Sequence, residues 1–270
     1  MKLAQNDVLA PIAGLDFGRL IYLRDLVREL VIRDIKLRYK RSMLGVGWSL
    51  LVPLSQLLIL SFVFRVVVPL NIPDYTLFLF SGLLPWTWFQ SSLMAATRVT
   101  LDNRELIRQV GFPVRILPVI TVTSQLVHFL LALPLLLLFV WLERGSLTGA
   151  ILVLPLVVGL QFVLILSIAY LVAPLQAIFH DTEHLLGIFL MLLFYLTPVF
   201  YNPTAIPARY AWVFNLNPLV PLLDAYRQVL VHGELPAAMP LLVLGGVSAM
   251  LFAAGIRGYM CFHYRFVQEL

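Results

Sequence analysis

Charge is scarce in this 270-residue chain: Asp, Glu, Lys and Arg make up 12% of it, against 61% hydrophobic residues. A soluble domain of this length has no core large enough to hide so much apolar surface, so the composition excludes a soluble fold and points to the bilayer. Cysteine is nearly absent, and the lone Cys261 excludes disulfides and thiolate metal clusters. No G-x-x-x-x-G-K-[ST] loop occurs, so the chain binds no nucleotide by that route. Neither a long internal repeat nor a low-complexity tract divides it. Residues 1–34 hold no uninterrupted apolar core of signal-peptide length, and the first span is therefore expected to stay as an anchor.

What is present is a series of apolar stretches long enough, at about 20 residues, to cross a bilayer. Six are expected as helices, over 43–65, 75–97, 116–142, 150–172, 185–201 and 238–257, giving an all-α integral membrane protein with one transmembrane domain over 1–270. Placing the N-terminus in the cytoplasm collects 15 of the 19 Lys and Arg on that side, leaving only Arg65, Arg144, Arg209 and Arg227 outside. Both termini are then cytoplasmic. The net charge of +5 follows from this topology and from contact with anionic membrane lipid, and implies no nucleic acid.

Three segments outside the spans carry more information. Over 18–34, Leu20, Leu23, Val27 and Leu30 share one helical face while Arg24, Asp25, Arg28 and Glu29 share the other. Such a helix lies in the membrane interface, or is solvated or packed on a partner. Over 102–111, Asp102 or Asn103 can cap a helix start, Glu105 and Arg108 stand one turn apart, and Gly111 with Pro113 stops it. That predicts a short helix of about two turns on the cytoplasmic face, which needs a contact to stay ordered. Over 202–236, Asn215, Asn217, Pro218 and Pro221 interrupt an otherwise apolar run too short to cross, which predicts one or two short re-entrant periplasmic helices.

Candidate chemistry is thin. Within the spans, His128 is the one ionisable residue away from the ends, and it reads as a hydrogen-bonded packing residue rather than a proton relay. The sequence "HDTEH", 180–184, resembles a metal site superficially, but capping by Asp181 or Thr182 explains it without metal. An enzyme acting on lipid-linked sugars would need a convergent pair of acids, and only Asp224 and Glu234 offer one. No catalytic residue and no metal ligand is otherwise assigned.

The stretches "RDIKLRYKRSMLGVGWSLLVPL" (33–54), "LFLFSGLLPWTWFQSS" (77–92), "NRELIRQVGFPVRILP" (103–118), "YLTPVFYNPTAIP" (195–207) and "NLNPLVPLLDAYR" (215–227) together resemble the type-2 ABC exporter permeases. More narrowly, they look like the subgroup that exports lipid-linked polysaccharides such as O-antigen, capsule or teichoic acid. The resemblance implies a homodimer in the bacterial inner membrane, paired with two copies of a separate ATPase that holds the ATP and magnesium, with no cofactor in this chain. It implies coupling to that ATPase through Asn103, Arg104, Glu105, Leu106, Ile107 and Arg108. An undecaprenyl-diphosphate-linked polysaccharide needs a conduit that holds sugars weakly, for which Phe62, Phe64, Trp86, Trp88, Phe89, Phe194, Tyr195, Phe200 and Tyr201 are candidates. A lipid-interface belt is the other reading of these rings. Arg38, Lys40 and Arg41 could meet the diphosphate at the cytoplasmic mouth. A permease for a drug or small lipid is the alternative within the class; it leaves the aromatic lining without a reason.

Overall fold

The structure, a computed structural model, describes residues 17–269 except 41, 71, 180, 204–206, 211, 213 and 215. Every regular element among the described residues is helical. Helix α1 runs Phe17–Tyr39, longer than the amphipathic pattern required, because Val31 and Ile35 continue the stripe of Leu23, Leu26, Val27 and Leu30 that packs on the core. Arg24, Asp25, Arg28 and Glu29 face outward. A tight turn follows, held by Ser42 Oγ, which accepts from Gly45 N at 3.2 Å and Trp48 Nε1 at 3.1 Å.

Helix α2, Trp48–Phe62, ends in a π-turn over Val63–Val67. Helix α3 spans Tyr75–Asp102, and a single helical turn, α4, spans Arg104–Ile107. Helix α5 covers Leu117–Arg144, starting with a proline in its first turn and ending at Gly145 with φ 72°. Helix α6 is Leu154–Ile178, α7 is Thr182–Leu196, α8 is Leu219–Arg227 with a π-turn through His232, and α9 is Ala238–Glu269.

Among the described residues, four segments are long and apolar enough to cross a membrane: Trp48–Val67, Val114–Arg144, Gly149–Gln176 and Ala238–Cys261. The other two expected spans differ from these. Helix α7 is apolar but stops at Leu196, short of 201, and α3 is long enough but too polar along its length to meet the same measure. The polarity of α3 follows from its place in the molecule. It lies against α5 and α6, with further contacts to α2, α7 and α8, and is buried along most of its length.

Hydrogen bonds between distant segments define two ends of the bundle. At one, which carries most of the described Lys and Arg and is called the basic end below, Tyr170 Oη donates to Arg115 O at 2.7 Å and Tyr259 Oη to Val114 O at 3.2 Å. At the opposite end, Tyr75 Oη donates to Phe200 O at 2.9 Å and Arg144 Nη2 to His232 O at 2.8 Å. Midway, the fully buried Gln161 joins three helices, donating through Nε2 to Pro85 O at 2.8 Å and accepting at Oε1 from Tyr226 at 2.7 Å. A buried amide without partners costs several kcal/mol in such surroundings, so this side chain fixes how α3, α6 and α8 meet.

Candidate functional site

The turn after α3 is built differently from the pattern in its sequence. Asn103 does not cap α4 with its side chain: its Nδ2 donates to Val99 O at 2.9 Å, and its Oδ1 accepts from Arg33 Nη2 at 2.8 Å. With the capping group spent on α1 and α3, only one turn of helix forms where two were expected, and Gly111, at φ 85°, reverses the chain. Arg104, Glu105 and Arg108 are exposed. Ile107 is not available for a partner, since it is buried in this chain's own core at 7% exposure, and Leu106 packs against the same core. The apolar side chain offered outward is Val110, fully exposed just beyond the turn. No helical periodicity marks Val110, because it lies past the last residue of α4.

Charges gather around this turn. Arg98 of α3 pairs with Glu183 of α7, Nη2 to Oε1 at 2.6 Å, and this hydrogen bond holds the Glu183 carboxyl below its ordinary range. Partial burial pushes the Asp102 carboxyl up, Arg98 opposes that, and Asp34 and Glu183 add to it. The start of α7 is capped from outside: Gln176 Oε1 of α6 accepts from Glu183 N at 2.8 Å, while Asp181 gives no side-chain cap. Among the described residues no group of His, Cys, Asp or Glu could hold a metal ion.

At the opposite end the aromatic candidates separate into three sets. Phe64, Trp86, Phe89, Phe194, Tyr195, Phe200 and Tyr201 form one connected cluster, with ring centroids at 5.3 Å for Phe64–Phe200, 5.4 Å for Trp86–Phe194 and 5.0 Å for Phe200–Tyr201. Trp88 belongs elsewhere, tilted against Phe129 with ring centroids 4.8 Å apart, on the far side of α3. Phe62 stands exposed on α2. Within the cluster Trp86 and Phe89 are buried between helices and Tyr195 is 61% exposed. The rings of this cluster that reach the surface thus include Tyr195, Phe200 and Tyr201, with Trp86 and Phe89 behind them as packing.

Arg227 completes this end, and nothing in its sequence surroundings marks it. Its guanidinium is buried, donates through Nη2 to Pro198 O at 2.6 Å and Val199 O at 2.8 Å, and lies 3.7 Å over the Phe78 ring. Gly82 makes room for it, since a Cβ there would come within 3.0 Å of both Arg227 Nη2 and Val199 O. The broken backbone after α7 is thus clamped to α3 by a cation, which sets the position of Phe200 and Tyr201. Of the two acids considered for catalysis, Asp224 is engaged by Gln228 Nε2 at 2.6 Å, and Glu234 lies beyond the π-turn.

Of the basic candidates at the other end, Arg38 is exposed but places its Nη1 3.3 Å from Gln125 Oε1, beside a Tyr39–His128 contact of 3.2 Å. His128 is accordingly a hydrogen-bonded packing residue between α1 and α5. Lys40 is exposed, and Arg41 lies outside the described residues.

Residues 25–231 match the family model described as ABC-2 type transporter. The chain is 36% identical over 233 residues to the O-antigen export system permease protein RfbA of Myxococcus xanthus, covering 86% of this chain and 90% of that protein. A protein of the same description from Klebsiella pneumoniae is 32% identical over 251 residues, covering 92% and 96%. The polysialic acid transport protein KpsM of Escherichia coli is 26% identical over 240 residues, covering 86% and 92%.

Proposed function

The chain belongs to the ABC-2 type transporter family, as a multi-pass membrane permease subunit, and from that premise we propose that it exports O-antigen polysaccharide. The observation that carries the cargo is similarity along nearly the whole chain, at 32–36% identity, to permeases described as O-antigen exporters, with a polysialic acid transporter as a more distant relative. The cargo is linked to undecaprenyl diphosphate, and the membrane is the bacterial inner membrane. ATP and magnesium are held by a separate ATPase, two copies of which work with two copies of this chain.

In this reading the basic end is cytoplasmic, and α2, α3, α5, α6, α7 and α9 make six passes that return the C-terminus to that side. The excess of Lys and Arg at that end supports the orientation. Helix α1 lies in the inner interface on its apolar stripe. Residues 202–236 form the periplasmic gate, and Tyr195, Phe200, Tyr201 and Phe62 offer ring faces to sugars without holding any one tightly.

Arg104, Glu105, Arg108 and Val110 meet the ATPase, and the hydrogen bond from Arg33 to Asn103 carries its movement to α1. The test is the double variant Glu105→Arg with Val110→Asp, both at exposed positions. Its membrane level should match wild type while the ATPase no longer co-purifies and surface polymer disappears. Full recovery of the ATPase with that variant would remove the turn as the coupling element.

A further inference from the structure

Helix α7 leans on α3 along one seam. The two run antiparallel, with Arg98 against Glu183 at the basic end, Met94 beside Gly187 one turn further in, and Trp86 against Phe194 toward the opposite end. In the middle the seam is smooth: Gly187 has no side chain, and a Cβ there would meet only the terminal methyl of Met94, at 3.9 Å. The rings beyond are tilted at 5.4 Å. Contacts between apolar groups are individually weak and lack the direction of a hydrogen bond, so they hold two helices together without fixing how far one slides along the other.

The ion pair supplies that register. Arg98 Nε lies 2.8 Å from both Glu183 Oε1 and Oε2, and Nη2 lies 2.6 Å from Oε1, so one guanidinium grips both oxygens. Such a grip adds geometric specificity to the attraction of opposite charges. Arg24–Asp25 and Arg33–Asp34, by contrast, each join neighbours within α1. Glu183 is also held through its backbone, whose N–H donates to the buried Gln176 Oε1 of α6 at 2.8 Å. A single residue thus seats the start of α7 on α6 and sets its position along α3.

Arg98 stands one turn before Asp102, the last residue of α3, and the chain then enters the turn at 103–110. At the other end of α7, Tyr195 is exposed in the aromatic cluster. Between these ends α7 buries only Leu190, so little else restrains it.

We infer that Arg98 and Glu183 are a positioning pair that carries a displacement of the 103–110 turn, through the end of α3, to α7 and its outer rings. The inference rests on the export reading above, and gives the turn a second output beside the Arg33–Asn103 bond to α1.

The complete exporter with its ATPase is compared as wild type, Arg98→Gln, Glu183→Gln and the double variant, reading co-purified ATPase, ATP hydrolysis, thermal midpoint and surface polymer. The pair is partly exposed and adds little to stability, and Arg104, Glu105, Arg108 and Val110 are untouched. ATPase recovery, hydrolysis and thermal midpoint should therefore stay close to wild type throughout. Polymer exported per ATP hydrolysed should fall about fivefold in each single variant, the scale of a modest coupling between sites, and about fivefold again in the double variant rather than the roughly 25-fold of independent residues. A purely structural pair would instead lower thermal midpoint and membrane level together, with polymer per ATP unchanged. That pattern, wild-type polymer per ATP in either single variant, or multiplied losses in the double variant overturns the inference and leaves the export reading in place. Absence of polymer from the wild-type complex would overturn the export reading, and this inference with it.

Discussion

Helices α3 and α7 are both free of charge through their middle turns, yet α3 is enclosed by its neighbours while α7 buries only Leu190 of its 15 residues. The enclosed helix is the more polar. Gly82, Ser81, Ser92, Thr97 and two tryptophans occupy its buried faces, whereas ten of the 15 residues of α7 are Leu, Ile, Phe or Met. This inverts the soluble rule and follows from the solvent: lipid accepts bare Leu and Ile, while small and hydroxyl-bearing residues let helices approach and are kept away from it. Of these two helices, the more apolar is the peripheral one.

The sharpest break in the comparison should come at Arg227, where the two regions are joined. Arg227→Met leaves the Pro198 and Val199 carbonyls buried without donors and should destabilise the protein by about 3 kcal/mol, measured as thermal unfolding in detergent. An unchanged midpoint would mean that the segment after α7 does not need its tie to α3. Next, Leu79→Ala in fully buried α3 should cost about 2 kcal/mol, the low end for such truncations, because lipid is as apolar as leucine and only packing is lost. Leu192→Ala on exposed α7 should cost under about 0.5 kcal/mol in the isolated chain. If Leu192→Ala instead weakens association of two copies on a native gel, the bare face of α7 meets protein rather than lipid, and the comparison is sharpened.

The smallest effect should be at the exposed pair of Arg98 on α3 and Glu183 on α7. The Glu183 carboxyl titrates below its ordinary value of 4.5 in the folded protein, so its contribution is present above that pH and fades as pH falls through the folded value. Glu183→Gln should flatten the stability profile in that acidic window, lowering stability slightly at neutral pH, where the pair contributes, and leaving it unaltered at the acid end. A profile that is already flat in wild type would show that solvent screens the pair entirely.

The helical class and the position of most helices were legible in the sequence because a run without charge, about 20 residues long, has few other uses. The stripe on α1 was legible for the same kind of reason, as one face of a 3.6-residue period. What escaped was set by contacts between distant residues. Asn103 looked like a cap for α4, but Arg33, 70 positions earlier, claims its side chain, and the helix shortens. Trp86 and Trp88 looked equivalent, two positions apart, yet a helix turns them to different sides, one toward Phe194 and one toward Phe129. Arg227 counted only as a basic residue on the far side of the membrane, although it is the buried clamp of that end.

The polarity of α3 also bears on the order in which the chain is made. The side chain of Gln161 that meets Pro85 is synthesised 76 residues after it, and the Phe200 carbonyl that Tyr75 needs comes 125 residues later. At about 5–20 residues per second, those partners follow by roughly 4 to 25 seconds. Through that interval α3 is partly self-sufficient, because Ser81, Thr87, Ser91 and Thr97 each donate to a carbonyl one turn back on the same helix, at 2.8, 2.8, 3.2 and 2.7 Å. The hydroxyls that suit this helix to the middle of the finished bundle thus also let it enter the membrane ahead of the helices that will surround it.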